Sequence, residues 1–260
     1  SVTTIGAQIF YKATSLKTVY YDSSYASSEN PVLNTDSIEK VVFGCKTVTQ
    51  YMCQPNVKYV ELTNNVTSIG SYAFSDCTGL TSIVISGSVT SIRDDAFKNC
   101  TSLTGVYITD VAAWCSISFS YYYSYGERKY YTSNPLSYAH NLYLNGTLIK
   151  NLIIPDSVTS IWGWAFYGCR NLTSVTIGNS VTSIGDWAFY GCTSLKDVYI
   201  TDLAAWCKIS FPGYYSTPFS YAHNLYLNGD LVKDLVIPNN ITSIGKRAFH
   251  GCTSLTRVTI

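Results

Sequence analysis

Charge is scarce in this chain of 260 residues: Asp, Glu, Lys and Arg make up only 13%, and they nearly cancel to a net charge of +1. Such a chain lacks the basic footprint that neutralises nucleic-acid phosphates or docks on an anionic membrane. Long apolar runs are missing as well, and none approaches the ~18 residues of a membrane-spanning helix. No C-x-x-C pair occurs among the nine cysteines, and their number is odd. Both facts argue against a zinc site or a complete disulfide framework. Glycine-rich phosphate loops are absent. None of the three histidines, His140, His223 and His250, stands in a recurring arrangement with Ser, Cys or a carboxylate that would suggest a triad. The 16 acidic residues are scattered, and Asp94-Asp95 is the one adjacent pair. Nothing therefore suggests the two convergent carboxylates of a glycosidase. The expectation is a chain that is not an enzyme and holds no metal or cofactor.

What the chain does have is a repeat. Hydrophobic residues reach 47%, with polarity supplied by Ser, Thr, Asn and Tyr. The stretch from Val181 to Ile200 recurs almost word for word from Val158 to Ile177, and again from Val66, Val89 and Ile241, with weaker copies from Val2 and Val48. A period of about 23 residues with apolar residues at constant offsets is the mark of a solenoid. The unit reads V-x-x-I-G-x-x-A-F-x-x-C-x-x-L-x-x-V-x-I. Its last six positions, as in Leu80-x-x-Ile83-x-Ile85, form a strand whose alternate residues face the core. One unit cannot bury that row, but the next coil stacked on it does, pairing backbones in a parallel sheet. The Ala-Phe step, as at Ala188-Phe189, is expected in a short helical turn on the return side. Gly70, Gly185 and Gly245 are expected at a bend that uses positive φ, although Arg93 and Trp162 occupy the same place.

These residues are similar to the BspA-like (Treponema pallidum-type) leucine-rich repeats of bacterial and trichomonad surface proteins, over nearly the whole chain. The resemblance implies the fold, display at the cell surface or secretion, and adhesion to a host or neighbouring cell. The expected fold is a mostly β repeat protein: a leucine-rich-repeat solenoid with a stacked parallel sheet, short helical turns and two helix-plus-hairpin inserts. It reads as one domain over residues 1–260, with modified coils at 109–157 and 201–240. No leader-like stretch opens the sequence. It begins at Ser1-Val2-Thr3 inside a repeat phrase and stops at Ile260 at the end of a strand. Neither end looks like the polar cap a solenoid needs, so the expectation is a piece of a longer protein.

The two inserts are copies. Asp110 and Asp202 are placed to N-cap helices carrying Ala-Ala-Trp, and Asn145-Gly146 and Asn228-Gly229 are hairpin signals. Cys77, Cys100, Cys169, Cys192 and Cys252 share one repeat position, which Ala13 also fills. Cys115 and Cys207 are equivalent in the inserts. All seven are read as buried, reduced and structural. Cys45 and Cys53 lie outside the pattern, and their pairing stays open.

The tyrosines are different. Tyr121, Tyr122, Tyr123, Tyr125, Tyr130 and Tyr131 crowd the extra length of the first insert, beside Glu127, Arg128 and Lys129. Repeat periodicity does not account for them. Tyr is favoured in recognition loops for its contact area and low ordering cost. A self-packed cover over the solenoid flank is the competing reading. Strand alternation places Tyr59, Tyr107 and Tyr199 on the outward face of the sheet. The candidate binding set is therefore these three with the tract residues and Arg128. The expected function is a non-catalytic surface or secreted module that binds an extracellular protein or glycan. The alternatives are a passive stalk presenting another domain, and a carbohydrate-binding module of a larger enzyme.

Overall fold

The computed structural model describes the chain apart from residues 1–11, 23–36, 50–53, 55, 125–128 and 214, and apart from the side chains of residues 123–131. It divides into two compact units, residues 1–113 with 117–147, and residues 114–116 with 148–260. Both are built from the same coil.

In the first unit, strands Thr18–Tyr21, Lys40–Phe43, Tyr59–Leu62, Ser82–Ile85, Gly105–Ile108 and Leu142–Leu144 pair in parallel in that order. The register sets Val41, Val60, Ile83, Val106 and Leu142 side by side, and all are buried. A second ladder joins Thr47–Val48, Ser68–Ile69, Ser91–Ile92 and Ser118–Phe119. In the second unit the long ladder is Asn151–Ile153, Ser174–Thr176, Asp197–Ile200 and Asn224–Leu227, closed by the antiparallel Asp230–Leu231. Strands Asp234–Val236 and Arg257–Thr259 pair separately. The short ladder is Ser160–Ile161 with Ser183–Ile184, extended by a bridge from Ser183 to Ser210. Inside the coils, one Phe per repeat forms a column. The Phe74 and Phe97 rings lie 5.2 Å apart, and Phe166 and Phe189 5.3 Å.

The return side is made of hydrogen-bonded turns, where the sequence suggested a helical turn. The reason lies in where its N–H groups go. Tyr72, Phe74 and Asp76 donate to the carbonyls of Asp94, Ala96 and Lys98 in the next coil, and Trp164, Phe166 and Gly168 do the same to Asp186, Ala188 and Tyr190. Groups spent between coils cannot make the i→i−4 bonds of a helix. Two residues of each return are left-handed. The one before Cys is Asp76, Asn99, Gly168, Gly191 or Gly251, all types that tolerate positive φ. The one before Ala is Tyr72, Asp95, Trp164, Trp187 or Arg247, a choice that backbone preference does not explain.

Gly70, Gly185 and Gly245 are not left-handed, contrary to the expectation. They are glycine because backbone passes close by. A Cβ on Gly185 would collide with the Gly163 nitrogen, and one on Gly245 with the Ile209 carbonyl oxygen.

Each insert helix, Val111–Cys115 and Leu203–Cys207, replaces part of a missing coil. Asp110 and Asp202 cap them as expected: each Oδ1 accepts from two backbone N–H groups, at 2.7 and 3.3 Å and at 2.7 and 3.1 Å. In an ordinary coil the Ala carbonyl accepts from the N–H of the preceding coil's Phe. Here the Ala165 and Ala248 carbonyls accept instead from the indole N–H of Trp114 and Trp206, at 2.8 and 3.1 Å. Likewise the Cys115 and Cys207 carbonyls accept from Trp162 and Gly245, where a short-ladder strand would otherwise stand. The hairpin turns are as expected, with φ positive at both Asn145 and Gly146, and at both Asn228 and Gly229, as a type I′ turn requires.

Candidate functional site

The outward face of the long ladder changes character along each unit. In the first it begins mainly charged around Tyr20, which is 77% exposed: Lys17 pairs with Glu39 at 3.1 Å and Lys40 with Glu61 at 2.7 Å. Lys17 foremost, and then Lys58, hold the Glu39 carboxyl below the usual range. Further along it becomes aromatic. Tyr59 is 48% exposed, and Tyr107 lies against Tyr143 with ring centroids 4.5 Å apart and planes 10° from parallel. The second unit repeats this, with Tyr199 on Tyr226 at 4.6 Å and 17°. In-register parallel pairing stacks these rings, because Tyr107 is directly opposite Tyr143 and Tyr199 opposite Tyr226. Burial raises the pKa of Tyr107, with Tyr143 and Tyr59 adding to it, and of Tyr199, with Asp197 and then Tyr226 adding to it. Gly105 is buried beneath the first pair, where a Cβ would meet the Tyr107 ring at 2.9 Å.

Tyr59, Tyr107 and Tyr199 thus stand on the outward face. The sequence reading did not name Tyr143 and Tyr226, their ring partners. The Ser-Tyr-Ala-His-Asn-Leu-Tyr phrase common to both inserts carried the signal.

The tyrosine tract forms an antiparallel hairpin of Tyr121–Ser124 with Lys129–Thr132, pairing Tyr122 with Tyr131 and Tyr123 with Tyr130. Tyr121 is 60% exposed. The Tyr122 hydroxyl reaches Asp95 Oδ1 at 3.4 Å, and burial, then Asp95, raises its pKa. Tyr122 therefore touches the return side through Asp95, while Tyr121 faces solvent. Tyr125 and Arg128 lie outside the described residues.

Cys45, Cys100, Cys115, Cys169, Cys192, Cys207 and Cys252 are buried thiols. Cys100 and Cys192 donate to the carbonyls of Phe74 and Phe166, at 3.1 and 3.2 Å. Burial pushes the Cys100 thiol up to about 12 and Cys45 to about 11. Cys77 departs from the expectation, since its sulfur is in a disulfide. The repeat position alone therefore does not decide a cysteine's redox state. Cys45 is a free thiol, and Cys53 lies outside the described residues. No helix of the described residues is long and apolar enough to cross a membrane.

One feature escaped the sequence reading altogether. On the return side of the second unit, Trp164, Tyr167, Trp187, Tyr190 and Tyr215 pack as a continuous cluster. Trp164 and Trp187 are stacked at 5.1 Å, and Tyr215 lies 4.6 Å from Trp187. The Trp-Ala-Phe-Tyr-Gly-Cys phrase, present in two consecutive coils, was its visible signal.

Coils of this form, stacked through two parallel ladders, define a leucine-rich-repeat solenoid. The chain belongs to the BspA-type leucine-rich repeat family, whose model matches in six copies over residues 1–104, 49–131, 137–215 and 221–260. No curated protein matches it. Similar solved structures include a leucine-rich repeat protein of T. pallidum, 20% identical over 85% of this chain and 68% of that one, with a TM-score of 0.29. Another, from Bacteroides ovatus, is 21% identical over 94% of this chain and 57% of that one, with a TM-score of 0.44. The pneumococcal vaccine antigen PcpA is 15% identical over 96% of this chain and 73% of that one, with a TM-score of 0.34. The chain thus spans little more than half the length of the Bacteroides ovatus protein.

Proposed function

We propose that the chain is a non-catalytic binding module, displayed on a cell surface or secreted, that recognises an extracellular protein or glycan on a host or neighbouring cell. The observation that carries this reading is the unevenness of the outward sheet face. A passive stalk needs only a bland Ser/Thr surface, whereas the face of the first unit carries Tyr59 and the ring-stacked pair Tyr107–Tyr143, and that of the second unit carries the pair Tyr199–Tyr226. Stacking leaves a tyrosine little rotamer freedom to lose, and rigid amphipathic rings are favoured contact groups. The Tyr121–Thr132 hairpin is a second, separate contact element, with Tyr121, Tyr122, Tyr123, Tyr125, Arg128, Tyr130 and Tyr131 as its proposed contact set.

The test uses beads coated with the chain and cultured epithelial cells. Replacing Tyr107 and Tyr143 together by Ser, or shortening residues 120–131 to the length of the second insert, is expected to abolish adhesion. Loss of a stacked pair costs about 1 kcal/mol of stability, so the fold persists. Protease or periodate treatment of the cells tells a protein from a glycan partner. Adhesion unchanged in both variants would instead favour the stalk.

A further inference from the structure

The repeat position that follows Ile in V-T-S-I is glycine at Gly70, Gly185 and Gly245 and varies elsewhere. In the second unit, three successive coils place Trp162, Gly185 and Pro212 in this one column. Strands stack at about 4.8 Å, so the indole and the proline stand roughly 10 Å apart with a glycine between them. The result is a notch of about 320 Å³, with Gly163 and Gly185 in its floor and Ser160, Ser183 and Ser210 along its rim.

Three properties of the notch bear on what fills it. Trp162 is 51% exposed, although the repeat tolerates a glycine there, so packing does not call for an indole. The rim hydroxyls and the Trp162 indole N–H make no hydrogen bond within the protein among the described residues. Elsewhere such a hydroxyl is used: Ser68 bonds Thr47 at 2.9 Å. Among the described residues no charged side chain lines the notch. The same column in the first unit reads Gly70, Arg93 and Ser120, with neither an aromatic wall nor a proline.

We infer that this notch binds one unit of a neutral saccharide. A pyranose carries hydroxyls around its rim and an apolar C–H face. It would lay that face on the Trp162 ring and exchange hydrogen bonds with the row of serine hydroxyls. The volume is at the lower end of small-ligand sites, which run from about 300 to 1,000 Å³. An extended peptide fits less well, because it needs open backbone groups. Those of the short ladder are engaged, with Gly185 donating to Ile161, Ile184 to Ser210 and Ser210 to Thr182. The site lines the short ladder, whereas Tyr199 and Tyr226 stand on the long one, and it does not depend on the role of the stacked tyrosines.

The experiment titrates the chain with cellotetraose, mannotetraose, galactotetraose and N-acetylchitotetraose, reading tryptophan fluorescence and saturation-transfer NMR. A neutral aromatic tetrapeptide serves as the counter-probe. At least one saccharide is expected to saturate below about 10 mM. Trp162→Gly, a residue the repeat accepts at this place, should weaken binding about tenfold or more with an unchanged unfolding midpoint. Ser183→Ala should weaken it less. Replacing Tyr107 and Tyr143 should leave it unaltered, which separates this site from the adhesive face. The inference is overturned if no saccharide saturates, if Trp162→Gly binds as well as the parent, or if the peptide alone binds.

Discussion

Replacing Trp206 by Phe tests the idea that an insert helix stands in for a missing coil. The substitution keeps an aromatic plate among Phe211 and Phe219, whose rings lie 5.4 and 5.6 Å from that of Trp206. It removes the indole N–H that meets the Ala248 carbonyl at 3.1 Å. Trp206 and Ala248 are both buried, so water cannot readily replace the lost donor. A buried carbonyl left unsatisfied costs about 1–3 kcal/mol. The smaller ring leaves a void costing roughly 1 kcal/mol more, at about 24 cal/mol per Å³. The sum is about 2–4 kcal/mol, localised in the coil from Gly245 to Cys252. Hydrogen exchange is the suitable assay, because a repeat array does not have to unfold as one cooperative unit. Amides of residues 245–252 should lose protection first in Trp206→Phe. Trp162→Phe, at an exposed site, should stay within about 0.5 kcal/mol of the parent. Equal effects of the two substitutions, or protection lost evenly along the chain, would refute the reasoning.

Three other outcomes follow from the geometry. Gly185→Ala should destabilise by about 1–3 kcal/mol, because its Cβ would press on the backbone of Gly163. Gly87→Ala, where the nearest atom would be 3.4 Å away, should be close to neutral by urea denaturation. Asp202→Ala should cost about 1 kcal/mol through its helix cap, read from the thermal midpoint, and a change within error would show the cap to be idle. Stability should also fall at alkaline pH. The Cys45 and Cys100 thiols are raised from 9.0 to about 11 and about 12 in the fold, so the unfolded chain ionises first. Their contribution is whole below pH 9 and drains away as pH rises through the folded values. Urea midpoints near pH 8 and about pH 11, compared between the parent and a variant carrying Cys45→Ala and Cys100→Ala, should show a shallower fall in the variant. Equally steep falls would count against it.

The local pattern was enough to establish the coil. Apolar residues two apart, a Phe at a constant offset and Asn-Gly between alternating arms each select a conformation through short-range sterics or burial, and neighbouring coils repeat the choice. The strand register, the outward placement of Tyr59, Tyr107 and Tyr199, the caps at Asp110 and Asp202 and the two hairpins were legible for that reason. Contacts between coils were not. Gly185 needs no positive φ, and only the approach of Gly163 shows why a side chain is excluded. The Ala-Phe return looked helical until its N–H groups were seen to bond the next coil. Trp114 and Trp206 find their carbonyl partners 51 and 42 residues onward, a distance that no local periodicity spans. Tyr143 became a partner of Tyr107, and Trp162 came to line one notch with Pro212, only when stacking brought separate coils into one column. Sequence alone determined what each coil is, because that is settled within a period of about 23 residues. Tertiary structure decided what the coils present together, since neighbours in a stack are set by parallel pairing and not by nearness along the chain.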